Sequence, residues 1–470
     1  MPYFMPPQQD YIAPAILEEA YRSEQARLQR FKKALGAYLG QIDKPLVVNL
    51  GEYDDNVVLS FPRMTVDKSV SALFGQEIDF EVDAESESDT ETDMKPADQW
   101  LEACWEANKK MSFLHNLGIN GGIFGHAFVK VDMPKRPGDY PRLLNLDPMQ
   151  MSVIWDSKDI EEILQFTQKW TGIDPLDGRA VTYRQITYRD MDSQYWRIRN
   201  ERSKGGSAWM QEGAEIVWDY EWSPIFCCQN LPCPNEFWGL ADINPDVLSI
   251  HDSVCFVASN INRILRYYAH PLVWAKGVGG DDIERSPGNI VVLRSPNGEL
   301  HSLEMQSDLS SSLSYLSTIM QHYHEVTHTP EVASGKLENV GTLSGVALKI
   351  LYSPLLEKIN TKQMFYGDML QKLNLALLEL GGFGTDHTVA IKWQSPIPGD
   401  ELGEAQVAKL HHELGVSEQT ILTQLGYDAS AEMQKSQAEN QAAIQEQQQR
   451  INNAMQATVP NNSANDTNIP

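Results

Sequence analysis

The sharpest chemical signature in this 470-residue chain is His324-Glu325-Val326-Thr327-His328, a match to HExxH. On a helix, that spacing sets two imidazoles on one face with a carboxylate between them, the arrangement that holds zinc and supplies a general base. Hydrolytic zinc needs a third protein ligand as well. Neither an HxxGxxH extension nor a glutamate on a well-placed following helix is present, and Pro330 stops the helix two residues past the second histidine. His322 enlarges the cluster, which suits a polar helix interface as readily as a metal. A zinc peptidase using His324, Glu325 and His328 is therefore the alternative reading, and no catalysis, metal or cofactor is expected.

Three other groupings invite chemistry and lose it on context. Cys104, Cys227, Cys228, Cys233 and Cys255 are odd in number and irregularly spaced, so packed, reduced thiols are expected rather than a disulfide framework or a zinc site. The run GINGGIFGHAFVKVDM is rich in glycine, but a helix precedes it and a strand, Ala127–Val131, follows. Phosphate loops need the reverse order, so close backbone packing explains the glycines better. From Glu77 to Asp93 every second residue is acidic. Ile78, Phe80, Val82 and Ala84 between them predict a strand with one buried and one solvated face, running into a loop. The turn glycine and distal glutamate of a calcium loop are missing, so solvated surface is the expectation there.

Charge narrows the function further. Lys and Arg number 38 against 64 Asp and Glu, a net charge of −26, which repels phosphate polyanions and anionic lipid alike. A sequence-reading DNA clamp is disfavoured. With 42% hydrophobic residues the chain is a folded globular one. No run approaches the roughly 18 apolar residues of a membrane span. The opening MPYFMPPQQDY has neither a basic nor an apolar leader region, so a cytoplasmic place of synthesis and assembly, with no membrane, is expected.

The elements that position these residues follow from periodicity. An amphipathic helix is predicted over Pro14–Gln41, with Ile16, Leu17, Tyr21, Ala26, Leu28, Phe31, Leu35 and Leu39 as its apolar residues. A helix ending at Gly75 follows, then another from Trp100 to Leu117. Antiparallel strands are predicted at Met151–Trp155, Ile163–Trp170, Ala180–Tyr188, Tyr195–Arg199 and Ala208–Tyr220, giving an α+β domain to about residue 240. Val247, Ile250, Val254, Val257, Ile261, Ile264 and Tyr268 then make a heptad stripe on a low-charge helix ended by Pro271. Short strands and Asn297-Gly298 predict a hairpin, and a second helix runs from about Asp308 to Thr327. Two antiparallel helices holding a hairpin at their tip are the expected result. A loop rich in small residues leads to a long helix, Gly345–Leu380, with a kink expected at Pro354, then the strand TVAIKW, further helices over 401–449 and an Asn-rich tail expected to be disordered.

Taken together, NVVLSFPRMTVDKSVSALFGQEIDF, GGIFGHAFVKV with NLDPMQMSVIWD, the helix–hairpin–helix unit, SGVALKILYSPLLEKI and SPIPGDELGEAQVAKLHHELGVSEQTILTQLG resemble the portal proteins of tailed double-stranded DNA bacteriophages. The alternating acidic stretch does not belong to that pattern. The resemblance implies a portal fold: an α/β wing over 1–240 and 344–400, a two-helix stem at 241–270 and 306–329, a β-hairpin clip at 271–305, a tunnel loop at 330–343, a helical crown at 401–450 and a tail at 451–470. It implies a ring, of twelve copies in that family, at the capsid vertex of the virion. Duplex DNA would pass through it non-specifically during packaging and ejection. Implied partners are the terminase large subunit, major capsid and scaffolding proteins and a head–tail adaptor. Implied sites are Lys336, Glu338 and Asn339 in the tunnel loop, Arg263 and Arg266 in the stem, as channel charges or inter-subunit salt bridges, and Lys276, Arg285 and Arg294 in the clip. Physically, a ring would give the heptad stripes lateral neighbours, and net acidity would keep DNA from sticking in a conduit. Another structural ring of capsid or tail fits the same features.

Overall fold

The computed structural model describes residues 14–41, 43–46, 54–83, 95–174, 178–190, 193, 195–206, 208–269, 272–276, 299–303, 309–331, 345–394 and 408–424, with single positions at 429, 432, 433, 435 and 436. The chain divides into two units, one of residues 1–342 and 349–396, the other of 343–348 and 397–470. In the second, a turn through Gly415 joins a helical segment at 408–413 to a short helix, Glu418–Gln424. Ser417 opens that helix by accepting from the Thr420 amide at 3.3 Å, as an N-cap serine does.

The first unit carries seven helices among its described residues, α1 (Pro14–Tyr38), α2 (Phe61–Phe74), α3 (Pro96–Ala107), α4 (Lys110–Phe124), α5 (Pro245–Ala269), α6 (Ser310–Thr327) and α7 (Gly345–Leu380, which begins among the residues of the second unit). Its strands are β1 (Asp79–Val82), β2 (His126–Asp132), β3 (Arg142–Leu146), β4 (Met151–Trp155), β5 (Ile163–Ile173), β6 (Ala180–Arg189), β7 (Trp196–Lys204), β8 (Met210–Gln211), β9 (Ile216–Trp218), β10 (Ile225–Gln229), β11 (Leu272–Lys276), β12 (Glu299–Leu303) and β13 (Val389–Lys392). All described pairings are antiparallel: β4 to β8 in chain order with β9 also on β7, β10-β2-β3, β1-β13 and β11-β12. The predicted mixture of helix and sheet is what the chain adopts.

Two cores follow from alternation in the strands and helical spacing in α4 and α7. One joins Leu101, Trp105, Leu114 and Leu117 to Tyr366, Leu370, Leu373 and Leu377 with β1, β2 and β13. The other lies on one face of the long sheet around Phe166, Trp196, Ile198 and Trp218. A third cluster joins Phe31 of α1 and Val66 of α2 to Phe124 and Leu248. The glycines of α4 serve close packing rather than phosphate. A Cβ at Gly121 would collide with the Tyr366 hydroxyl, and one at Gly122 would stand 3.0 Å from Asp242 Oδ2. Gly125, at φ +79°, ends the helix in the left-handed region that favours glycine.

Two expectations change in detail. Among the described side chains of α1, residues 23–38, the buried ones are Arg27, Phe31, Ala34 and Ala37, whereas Leu39 just after it is exposed. Gly75 caps the end of α2 as expected, in a right-handed conformation at φ −81°. Helix α7 carries Pro354 in its interior. Most consequentially, Val247, Val254 and Ile261 of the heptad stripe are buried within the single chain, so a lone subunit covers much of a face expected to need neighbours. The acidic strand does as its pattern predicts: Ile78 and Val82 are buried, while Glu81 pairs with Lys392 at 2.9 Å on the other side. Residues 84–94 and the tail lie outside the described residues.

Candidate functional site

Helices α5 and α6 pack together, and the antiparallel β11–β12 ladder turns the chain back between them, with Leu272 opposite Leu303 and Lys276 opposite Glu299. Their footing on the body is polar. Along α5, the extended segment before α2 is stitched to the helix: His251 Nε2 donates to the Leu59 carbonyl (2.7 Å), Ser259 Oγ accepts from the Val57 amide (2.9 Å) and Asn262 Nδ2 donates to the Asp55 carbonyl (3.0 Å). Asp55 Oδ2 takes both Arg263 (3.3 Å) and Arg266 (2.6 Å). On α6, the buried Tyr323 hydroxyl meets Thr65 Oγ1 at 2.9 Å.

The start of α5 is fixed by a deeper ionic site. Asp242 lies between two lysines of α7, with Lys358 Nζ 3.0 Å from Oδ1, as an ion pair rather than an aligned hydrogen bond, and Lys362 Nζ 2.6 Å from Oδ2. Lys362 also donates to Ser69 Oγ of α2 (2.8 Å), and Lys358 to the Thr327 carbonyl at the end of α6 (3.1 Å). All three charged side chains are buried. Burial alone would raise the Asp242 carboxyl, but the two ammonium charges outweigh it and hold it at about 2. Burial dominates at Lys362 and, despite Asp242, brings it down to about 8.

Large apolar side chains stand open to water on both helices, where a solitary chain would favour polar residues. Phe256 and Leu265 of α5 are 50% and 49% exposed, and Leu313 and Tyr315 of α6 are 53% and 58% exposed. Phe256 and Tyr315 line a cleft of about 820 Å³ between α1 and α5, whose other wall carries Lys32, Lys33 and Lys44. Lys33 reaches Asp252 across it at 3.6 Å.

The sequence-derived candidates fall out as follows. Arg263 and Arg266 are joined to Asp55 of the same chain, a partner that sequence reasoning missed. Lys276 ends β11 and is exposed. Arg285, Arg294, Lys336, Glu338 and Asn339 lie outside the described residues. The HExxH match does not assemble. Helix α6 ends at Thr327, and His328 caps it in a left-handed conformation at φ 53°, so the two imidazoles do not share a helical face. His324 is buried, and its Nδ1 donates to the Thr329 carbonyl at 2.8 Å. Glu325 accepts from Gln321 and His322 on the exposed side. Among the described residues no group of three or more His, Cys, Asp or Glu gathers as a metal site, and no helix is long and apolar enough to cross a membrane. The five cysteines are free thiols. Asp242, Lys358 and Lys362 were also missed; the available signal was two lysines at i and i+4 on the face of α7 that carries Leu355, Ile359 and Tyr366.

Among solved structures, the chain is similar to one from the virion of a native gene transfer agent (GTA) particle, with 12% identity and a TM-score of 0.45 over 78% of this chain and 89% of that one. It is similar over the same shares to chains in the neck of an empty GTA particle computed with C6 symmetry (13%, TM-score 0.48) and of a native GTA particle computed with C12 symmetry (12%, 0.44). No curated protein matches. The family described as "Phage portal protein, SPP1 Gp6-like" matches residues 18–446, nearly the whole sequence, and the chain belongs to that family of phage portal proteins.

Proposed function

We propose that this portal-family chain assembles as a closed ring around an axial channel. Duplex DNA is packaged and later ejected through that channel, and the α5–hairpin–α6 unit forms the stem and clip. The observation that carries the reading is the set of large apolar side chains of that unit left half open to water, Phe256, Leu265, Leu313 and Tyr315, with Phe256 and Tyr315 beside an open cleft. In a head-to-tail ring each subunit offers one face to the next, and apolar side chains half open to water gain from that burial. Family membership supports the same reading. Because the heptad stripe is largely covered within one chain, these exposed residues, not the heptad positions, are the ones that call for a neighbour.

In this reading the clip, with Lys276, Arg285 and Arg294, docks the terminase motor and then the head–tail adaptor. The tunnel-loop residues Lys336, Glu338 and Asn339 face DNA, and 401–450 form the crown. Capsid and scaffolding proteins surround the ring, which has twelve subunits by analogy with the family, and ATP hydrolysis belongs to the motor. A net charge of −26 keeps passing DNA from being held, because few phosphates find a cation to neutralise them. Mass measurement and ring-averaged images of the purified chain test the assembly. The ring is expected for wild type, and Phe256→Glu with Leu313→Glu is expected to yield folded monomers. Rings persisting in that double variant, or monomeric wild type at micromolar concentration, would sink the proposed contacts.

A further inference from the structure

Helix α6 ends at Thr327, where its last carbonyls have no partner further along the helix. The Lys358 ammonium supplies one, donating to the Thr327 carbonyl while its charge complements the negative end of the helix dipole. The same ammonium is ion-paired with Asp242, three residues before α5 begins. One side chain of α7 thus touches both the end of α6 and the approach to α5. Lys362, one turn further along α7, also reaches Asp242, but its other partner is Ser69 of α2, in the body. Two cations share one carboxylate, so neither alone is needed to neutralise it.

Among the described residues, Asp242 is the only carboxylate paired with either lysine, and neutral groups pack around it. From α2 comes Ser69, from α4 the Cβ-less Gly122, from α7 Tyr366, whose phenol burial pushes up and keeps neutral, and from β10 the buried thiol of Cys228, raised for the same reason. Replacing either lysine by an apolar chain of similar length therefore leaves a neutral buried pair, whereas removing Asp242 leaves two buried positive charges.

We propose that the two lysines have separate roles: Lys362 fixes Asp242 to the body, and Lys358 couples the position of α7 to the C-terminal end of α6, where the chain enters residues 332–344. A displacement of α7 is then transmitted to that entry point through a single ammonium. The coupling is a property of the subunit and holds with or without a ring, so a failed assembly assay leaves it standing.

Hydrogen exchange on the full chain at neutral pH, read by mass spectrometry over 323–331 and over β5–β7, tests this with Lys358→Met and Lys362→Met. Losing a charge-assisted bond at the end of α6 is expected to speed exchange over 323–331 about tenfold in Lys358→Met, with β5–β7 unchanged. In Lys362→Met the same segment is expected to stay within about twofold of wild type. Equal acceleration by the two variants overturns the division of roles, as does no acceleration in Lys358→Met. If Lys358→Met accelerates exchange in β5–β7 as well, Lys358 is a requirement for folding rather than a coupling, and the proposal fails.

Discussion

Helix α5 is held at its two ends by the same device in two environments. Near its start, Asp242 is wedged between Lys358 and Lys362 with all three side chains out of water; towards its other end, Asp55 is buried but Arg263 and Arg266 keep 19% and 23% of their side-chain surface exposed. Removing one partner from a fully buried ion pair strands charge in a poorly polarisable medium, whereas water compensates charges it can reach. The start of the helix is therefore the stiffer attachment, and the end that leads towards the hairpin is the softer one.

The largest test of that contrast is Asp242→Ala, which strands two buried ammonium groups and is expected to cost about 3–5 kcal/mol in urea unfolding. Next in size is the pH dependence of Lys362. Its folded value of about 8 lies below the ordinary 10.5, so between those values the unfolded chain binds more protons and stability rises with pH. The penalty is present in full below pH 8 and is relieved towards 10.5, by on the order of 3 kcal/mol at most. Urea midpoints measured from pH 7.5 to 10 are expected to climb in wild type and to climb less in Lys362→Met; parallel slopes would contradict burial as the cause. Asp55→Asn comes third, at about 1–2 kcal/mol, because the guanidinium groups it releases can turn to solvent. An Asp55 loss equal to the Asp242 loss would erase the distinction between the two ends.

How far the sequence was legible follows the same division between pattern and partner. Strand alternation from Met151 to Trp218 and the helical spacing of α5 and α6 are local and were readable from periodicity, whereas the end of the HExxH helix was not placed: it comes at Thr327, with left-handed His328 as its cap, before Pro330 could stop it. The ionic seats were not. Arg263 and Asp55 are 208 residues apart, and Lys362 and Asp242 are 120 apart, so nothing local distinguishes a structural cation from one facing a channel. The heptad stripe misled for a related reason: periodicity identified an apolar face, but what covers it, α2 and α6 of the same chain or a neighbour, is a tertiary fact. Phe256 and Tyr315, off that stripe, carried no periodic signal.

The smallest expected effect lies on the partner helix. Where α5 is held by charge, α6 meets α2 through a neutral contact, the Tyr323 hydroxyl on Thr65 Oγ1 at 2.9 Å, with Phe61 against the Tyr323 ring at 5.6 Å. Tyr323→Phe keeps the ring contact and leaves Thr65 Oγ1 donating to the Phe61 carbonyl at 3.1 Å, so it is expected to cost about 1 kcal/mol. Thr65→Val strands the phenol instead, and because the two changes remove the same bond, the double variant should cost less than their sum. A double-mutant cycle in urea would measure that coupling. A coupling energy near zero would mean the bond contributes nothing net and α6 rests on its apolar contacts and on Lys358 alone; a coupling as large as the Asp242 loss would mean neutral and ionic attachments are equally strong here, against the ranking by burial and charge.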